Sequence, residues 1–114
     1  MSAPLKPAGE HSRVARLRIL YKDGSQQSVQ LTEKITTLGR TPANKIQLKD
    51  GSASRKHCLI KLEAGQYMLS DLGSGNGTSV NGGRVKEHYL SDGDRIQIGT
   101  TTLQFVDDET ERPL

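Results

Sequence analysis

Short runs along this chain alternate apolar and polar residues with a period of two, and no stretch sustains the 3.6-residue apolar repeat of a helix. Leu17, Ile19 and Tyr21 alternate with Arg16, Arg18 and Leu20, which predicts a half-buried strand. Lys22-Asp23-Gly24-Ser25 then reads as a hairpin turn, because Asp-Gly between alternating runs suits a tight reversal. Residues 28–32 return as its partner strand. A β-prone run over 35–38 ends at Gly39-Arg40, and Ile46 and Leu48 alternate again before a turn at Asp50-Gly51-Ser52. Strands are predicted over 58–62 and 67–72, a short one over 78–81, and two more over 95–98 and 102–106. Val85 and Leu90 read as apolar plugs in a connecting segment.

Many short strands separated by close turn signals predict an all-β sandwich or barrel. Residues 1–14, rich in Pro, Gly and polar side chains, read as a flexible N-terminal arm. The domain then occupies 15–107, and 108–114 reads as a loose acidic tail. Composition agrees with this class. Of 114 residues only 32% are hydrophobic, and the 12 glycines supply turns. The net charge of +3 favours anionic partners. Four aromatics, none of them Trp, leave no platform for stacking bases, so specific nucleic-acid binding is not expected. Cys58 stands alone and is expected to be a buried, inert thiol, pointing to a reducing cytoplasmic setting. No apolar leader or membrane-spanning run is present, so no membrane partner is expected.

The densest chemistry lies in Asp71-Leu72-Gly73-Ser74-Gly75-Asn76-Gly77-Thr78-Ser79-Val80-Asn81-Gly82. Its glycines free the backbone, while its asparagines and hydroxyls offer donors and acceptors. Gly39-Arg40 and Ser54-Arg55-Lys56-His57 are positioned to face the same way, forming one phosphate-reading surface with it. Ser54 and His57 invite comparison with a nucleophile and its base. However, no nucleophile elbow appears, and Gly77 is followed by Thr78 rather than the Lys of a P-loop. No His/Cys/Asp cluster has metal spacing, so neither catalysis, metal nor cofactor is expected.

Taken in order, Leu38-Gly39-Arg40, Asn44 with Ile46 and Leu48, Ser54-Arg55 with His57, Asp71-Leu72 with Ser74, Asn76-Gly77-Thr78, Val80-Asn81-Gly82 and Leu90 with Asp92-Gly93-Asp94, Ile96 and Gly99 resemble the forkhead-associated (FHA) domain pattern. The resemblance covers about residues 17–106. It implies a β-sandwich of about eleven strands whose apical loops bind phosphothreonine peptides without catalysis. By position, Arg40 and Ser54 would bind the phosphate, Asn76 the peptide main chain, and Arg55 would lie along the peptide groove. Gly39 and His57 would shape the loops, with Thr78 and Asn81 as further structural support. Gly75 stands where many members carry threonine, so only its main-chain amide could contribute. Lys45 and Ala53 also depart from the commoner Asp and Val.

The chemistry suits such a ligand. A phosphomonoester carries about −1.5 to −2 charge and three strong acceptor oxygens. Arg40 offers a planar fork that meets two of them, and Ser54 a hydroxyl for the third. Preference for phosphothreonine over phosphoserine rests on the family, since burying one methyl gains only about 0.8 kcal/mol. The expected partners are therefore Thr-phosphorylated proteins made by a Ser/Thr protein kinase, with the chain acting as a monomer or as part of a larger multidomain protein. Two other readings stand beside this one: a phosphate-independent protein scaffold on the same fold, and weak nucleic-acid binding through scattered basic residues. Thr110 in the acidic tail, if phosphorylated, is a candidate ligand for the chain's own pocket or a neighbour's.

Overall fold

A computed structural model describes residues 15–107, which form eleven strands in two sheets. The expected arm and tail, and Thr110, lie outside the described residues. The strands are β1 Ala15–Leu20, β2 Gln26–Gln30, β3 Ile35–Gly39, β4 Ile46–Gln47, β5 Cys58–Glu63, β6 Gln66–Asp71, β7 Thr78–Val80, β8 Gly83–Val85, β9 Glu87–Tyr89, β10 Arg95–Ile98 and β11 Thr101–Asp107. One sheet runs β9-β6-β5-β3-β4 and the other β2-β1-β11-β10-β7-β8. Every pairing is antiparallel except β3 with β4, where Leu38 faces Ile46.

Alternation explains the packing. Ala15, Leu17 and Ile19 of β1 face the opposite sheet, as do Leu103 and Phe105 of β11, Ile96 and Ile98 of β10, and Cys58 and Ile60 of β5. Each buried Leu, Ile or Phe contributes about 1.5–3 kcal/mol of transfer free energy, which makes this inter-sheet layer the main source of stability. Tyr67 and Phe105 meet across it with ring centroids 5.5 Å apart and planes tilted by 58°. Cys58 is fully buried, and burial pushes its thiol up to about 12, with the Asp71 charge adding to the shift. It is a core residue with no thiolate character.

The segment expected to be a connection is itself two strands. Gly83–Val85 and Glu87–Tyr89 each pair along one side only, as the outermost strands of their sheets. Edge strands face solvent more freely and need no apolar alternation, so the period-two signal is absent there. Val85 and Leu90 do pack against the core, as their apolar character suggests.

Candidate functional site

The parallel β3–β4 pair forces the chain to cross over between them, and residues 40–45 form that crossover at one end of the sandwich. The register sets Leu38 opposite Cys58, and Cys58 opposite Asp71, so the loops after β3, before β5 and after β6 emerge together. Arg40 donates its backbone amide to Ser54 O at 3.0 Å and its Nε to Ala53 O at 2.9 Å. Gly75 donates its amide to Ser54 Oγ at 3.0 Å, and Asn76 Nδ2 reaches Ser52 O at 2.8 Å. Arg40, Ser54, Gly75 and Asn76 are thus brought into one cluster.

Each of these side chains uses one group for internal anchoring and retains another. Arg40 commits Nε and keeps both Nη groups. The Ser54 hydroxyl accepts from Gly75 and can still donate its proton. Asn76 commits Nδ2 and keeps its carboxamide oxygen. The Gly75 amide, expected to be offered to a phosphate, is instead given to Ser54. Arg55 anchors through its carbonyl, which accepts from Asn44 Nδ2 at 2.8 Å, while its side chain and that of Lys56 are exposed.

His57 underlies the cluster and is completely buried. Its Nδ1 accepts the Ser54 amide at 3.0 Å, so Nε2 carries the proton and donates to Gly77 O at 2.9 Å. One imidazole therefore ties the serine loop to the glycine loop. An arrangement in which Nδ1 receives an amide proton leaves no base aimed at the Ser54 hydroxyl, which removes the nucleophile–base geometry. Gly39 supports the same loops by lacking a side chain. A Cβ there would run into the Arg55 carbonyl and come within 2.7 Å of Asn44 Nδ2.

Two carboxylates hold the loops in shape. Asp71 Oδ1 accepts the amides of Gly73 and Ser74 at 2.8 and 2.9 Å. Its Oδ2 accepts the hydroxyls of Ser74 and Thr78 at 2.6 and 2.7 Å. Desolvation pushes this carboxyl upward, but the four donors outweigh it and hold the group at about 2, below its ordinary 3.8. Asp50 plays the corresponding part for the serine loop. Its Oδ1 accepts the Ser52 amide at 2.9 Å, and its Oδ2 takes Thr100 N at 2.9 Å and Thr101 Oγ1 at 2.7 Å. Desolvation opposes ionisation there too, and the hydroxyl and amide donors overcome it. Sequence reasoning saw only a turn at Asp50; the partners fifty residues away carry no local signal.

Asn81 is not part of this cluster. It ends β7 at the far side from Thr78, roughly 10 Å along an extended strand. With φ of 51° it turns the chain into β8, and it holds β10 through Arg95 N at 3.0 Å and Asp94 Oδ1 at 3.0 Å. Its support is for the β7–β10 pairing and reaches the loops only through the strand. Among the named asparagines it is Asn81, not Asn76, that adopts the left-handed conformation.

A sandwich with this loop cluster defines a binding module, and comparison with known proteins gives its family. Residues 36–99 match the FHA domain profile. The glycogen accumulation regulator GarA of Mycolicibacterium smegmatis is 41% identical over 76 residues, covering 67% of this chain and 48% of that protein. An oxoglutarate dehydrogenase inhibitor of Corynebacterium efficiens is 33% identical over 107 residues, covering 92% and 75% respectively. A solved FHA domain from work on phosphothreonine-dependent FHA domain interactions superposes with a TM-score of 0.73 at 33% identity, covering 87% of this chain and 99% of that one. The chain belongs to the FHA domain family and is a binding module rather than an enzyme. It spans about half the length of the GarA proteins it matches.

Proposed function

We propose that the chain binds phosphothreonine-containing segments of partner proteins at its apical loops, as a signalling adaptor downstream of a Ser/Thr protein kinase. The observation that carries this reading is the union of Arg40 and Ser54 through the Arg40 N to Ser54 O bond, with the Arg40 Nη groups and the Ser54 hydroxyl proton left to donate. In this reading the Arg40 fork and the Ser54 hydroxyl hold the phosphate, and the Asn76 oxygen accepts from the ligand main chain. Arg55 borders the peptide path. Likeness to a glycogen accumulation regulator and an oxoglutarate dehydrogenase inhibitor supports a regulatory role acting through other proteins. We assign it to the cytoplasm on that likeness, as a monomer or within a longer chain.

Each charged hydrogen bond contributes roughly 1.5–3 kcal/mol. Three or four of them, less the cost of association, are consistent with micromolar binding, near −8 kcal/mol. The test is a calorimetric titration with a Thr-phosphorylated peptide and its unphosphorylated twin. Wild type should bind only the first, and Arg40→Ala should weaken that binding by roughly 100-fold or more through loss of the bidentate pair. Equal binding of both peptides would favour the phosphate-independent scaffold, and unchanged affinity in Arg40→Ala would reject the site.

A further inference from the structure

The outward side of the six-stranded sheet carries charge of one sign. Arg16 and Arg18 project from β1 and Arg95 from β10, as alternation with the buried Leu17, Ile19 and Ile96 requires. Arg16 has a partner of its own, and the Arg84 guanidinium of β8 lies instead over Gly77, beside Asp71. Three of the chain's eight arginines thus lie on this side. None of its eight lysines and none of its thirteen acidic residues projects from this side among the described residues; the intervening positions are Gln, Ser, Thr, Leu20 and Val106. An ordinary solvated surface intersperses both signs. The rest of this domain follows that habit, with Lys45 3.0 Å from Glu33 and Lys61 3.4 Å from Glu63.

The register makes the pattern geometric. Gln104 pairs with Arg18 on one side and Arg95 on the other, so the two arginines flank one strand about 10 Å apart. Between them opens a groove of 160 Å³ also lined by Leu20, Gln26 and Thr102. Among the described residues neither the Arg18 nor the Arg95 guanidinium has a hydrogen bond or ion pair; Arg95 meets Asn81 Oδ1 through its backbone amide. Leu20 remains 46% exposed at the groove's edge.

We propose that this sheet surface is a second docking site, separate from the apical loops, for a carboxylate-rich segment of a partner protein. A Glu or Asp side chain would enter the groove between Arg18 and Arg95, with its neighbours' apolar atoms on Leu20. The choice of arginine over lysine favours this occupant, because a planar guanidinium fork meets a carboxylate bidentately and sheds its hydration more readily than an ammonium. A polyanion sink would use lysine equally well, and a nucleic-acid platform would need aromatic rings that this surface lacks.

The test follows backbone amide resonances of the isotope-labelled chain during titration with a short unphosphorylated Glu/Asp-rich peptide. The controls are the same peptide with Gln/Asn in place of Glu/Asp, a single-stranded oligonucleotide and phosphatidylserine vesicles. The acidic peptide should shift Arg18, Leu20, Arg95 and Gln104, and the effect should fade with added salt. The Arg18→Gln/Arg95→Gln double variant should weaken it roughly tenfold, the loss expected from two surface charge pairs. Retention of the wild-type resonance dispersion and of phosphopeptide affinity establishes that the variant is folded. Shifts confined to the apical loops, no loss in the double variant, or tighter binding of the oligonucleotide or vesicles through the same residues would each overturn the proposal.

Discussion

Replacing His57 with Ala tests the link between fold and site most directly. The imidazole is fully buried and makes two hydrogen bonds, from Ser54 N at 3.0 Å and to Gly77 O at 2.9 Å. Truncation strands an amide and a carbonyl, each costing about 1–3 kcal/mol when no water replaces the ring. The vacated volume adds a cavity penalty of about 1 kcal/mol or more. The sum is about 3–7 kcal/mol against a typical domain stability of about 5–15 kcal/mol, so the variant should keep only part of its folding margin. Urea unfolding followed by circular dichroism gives the stability, and a phosphopeptide titration on the still-folded protein gives affinity. His57→Asn separates the two bonds. Its carboxamide oxygen can occupy the Nδ1 position and receive the Ser54 amide, but the side chain is too short to reach Gly77. It should therefore recover roughly half of the lost stability, and more than half of the lost affinity because Ser54 stays in place. A loss below about 1 kcal/mol in His57→Ala would refute this reasoning. So would abolished binding at full stability, which would make His57 a ligand contact.

Acid should loosen the glycine loop first. Asp71 is held at about 2 in the folded chain, below its ordinary 3.8, so its stabilisation is complete above the ordinary value and is lost as pH falls through the folded one. With solvent screening the effect is about 1–2 kcal/mol, and stability curves between pH 5 and pH 2 should show it, flattened in Asp71→Asn. Asp50 is shifted in the same direction and adds to the same acid limb. Gly75→Thr should fold normally, since a Cβ there meets nothing within 4 Å and its φ is not in the left-handed region. The added hydroxyl should tighten phosphopeptide binding by about 0.5–1.5 kcal/mol, and weaker binding would show that the open space serves the ligand. Gly39→Ala should cost stability and binding together, because its Cβ meets the Arg55 carbonyl, part of the backbone that carries Ser54. Overpacking of this kind costs about 1–3 kcal/mol, measurable by thermal unfolding.

The parts of this protein that were legible in its sequence are those where the pattern is local. Alternation marked β1, β5, β6, β10 and β11 because each buries one side, and Asp-Gly and Gly-containing turns marked their ends. Strands β8 and β9 escaped because an edge strand buries little, and Arg84, Glu87 and Tyr89 are all exposed. That Arg40, Ser54, Gly75 and Asn76 gather at one end was legible through the family pattern, but the hydrogen bonds that gather them were not. Nothing near Asp50 announces Thr100 and Thr101, and nothing near His57 announces Gly77. Asn81 shows the converse: it stands in the same glycine-rich run as Asn76, yet one short strand carries it to the other end of the sandwich.

That wiring bears on how the loops could hold a ligand at modest cost. Ordering a long side chain at an interface costs about 0.5–1.5 kcal/mol, a penalty that each internal tie removes in advance. Arg40 is fixed through Nε, Ser54 through Gly75 and His57, and Asn76 through Ser52, so three groups are oriented before any phosphate arrives. The same ties explain why the missing threonine at Gly75 need not disable the site. The Gly75 amide already orients the Ser54 hydroxyl, and replacing the side chain leaves that amide in place. On the proposed reading a threonine hydroxyl would add a donor without repairing anything broken, so changes at Gly75 should tune affinity, whereas removing the Arg40 fork or the Ser54 hydroxyl should abolish phosphate binding.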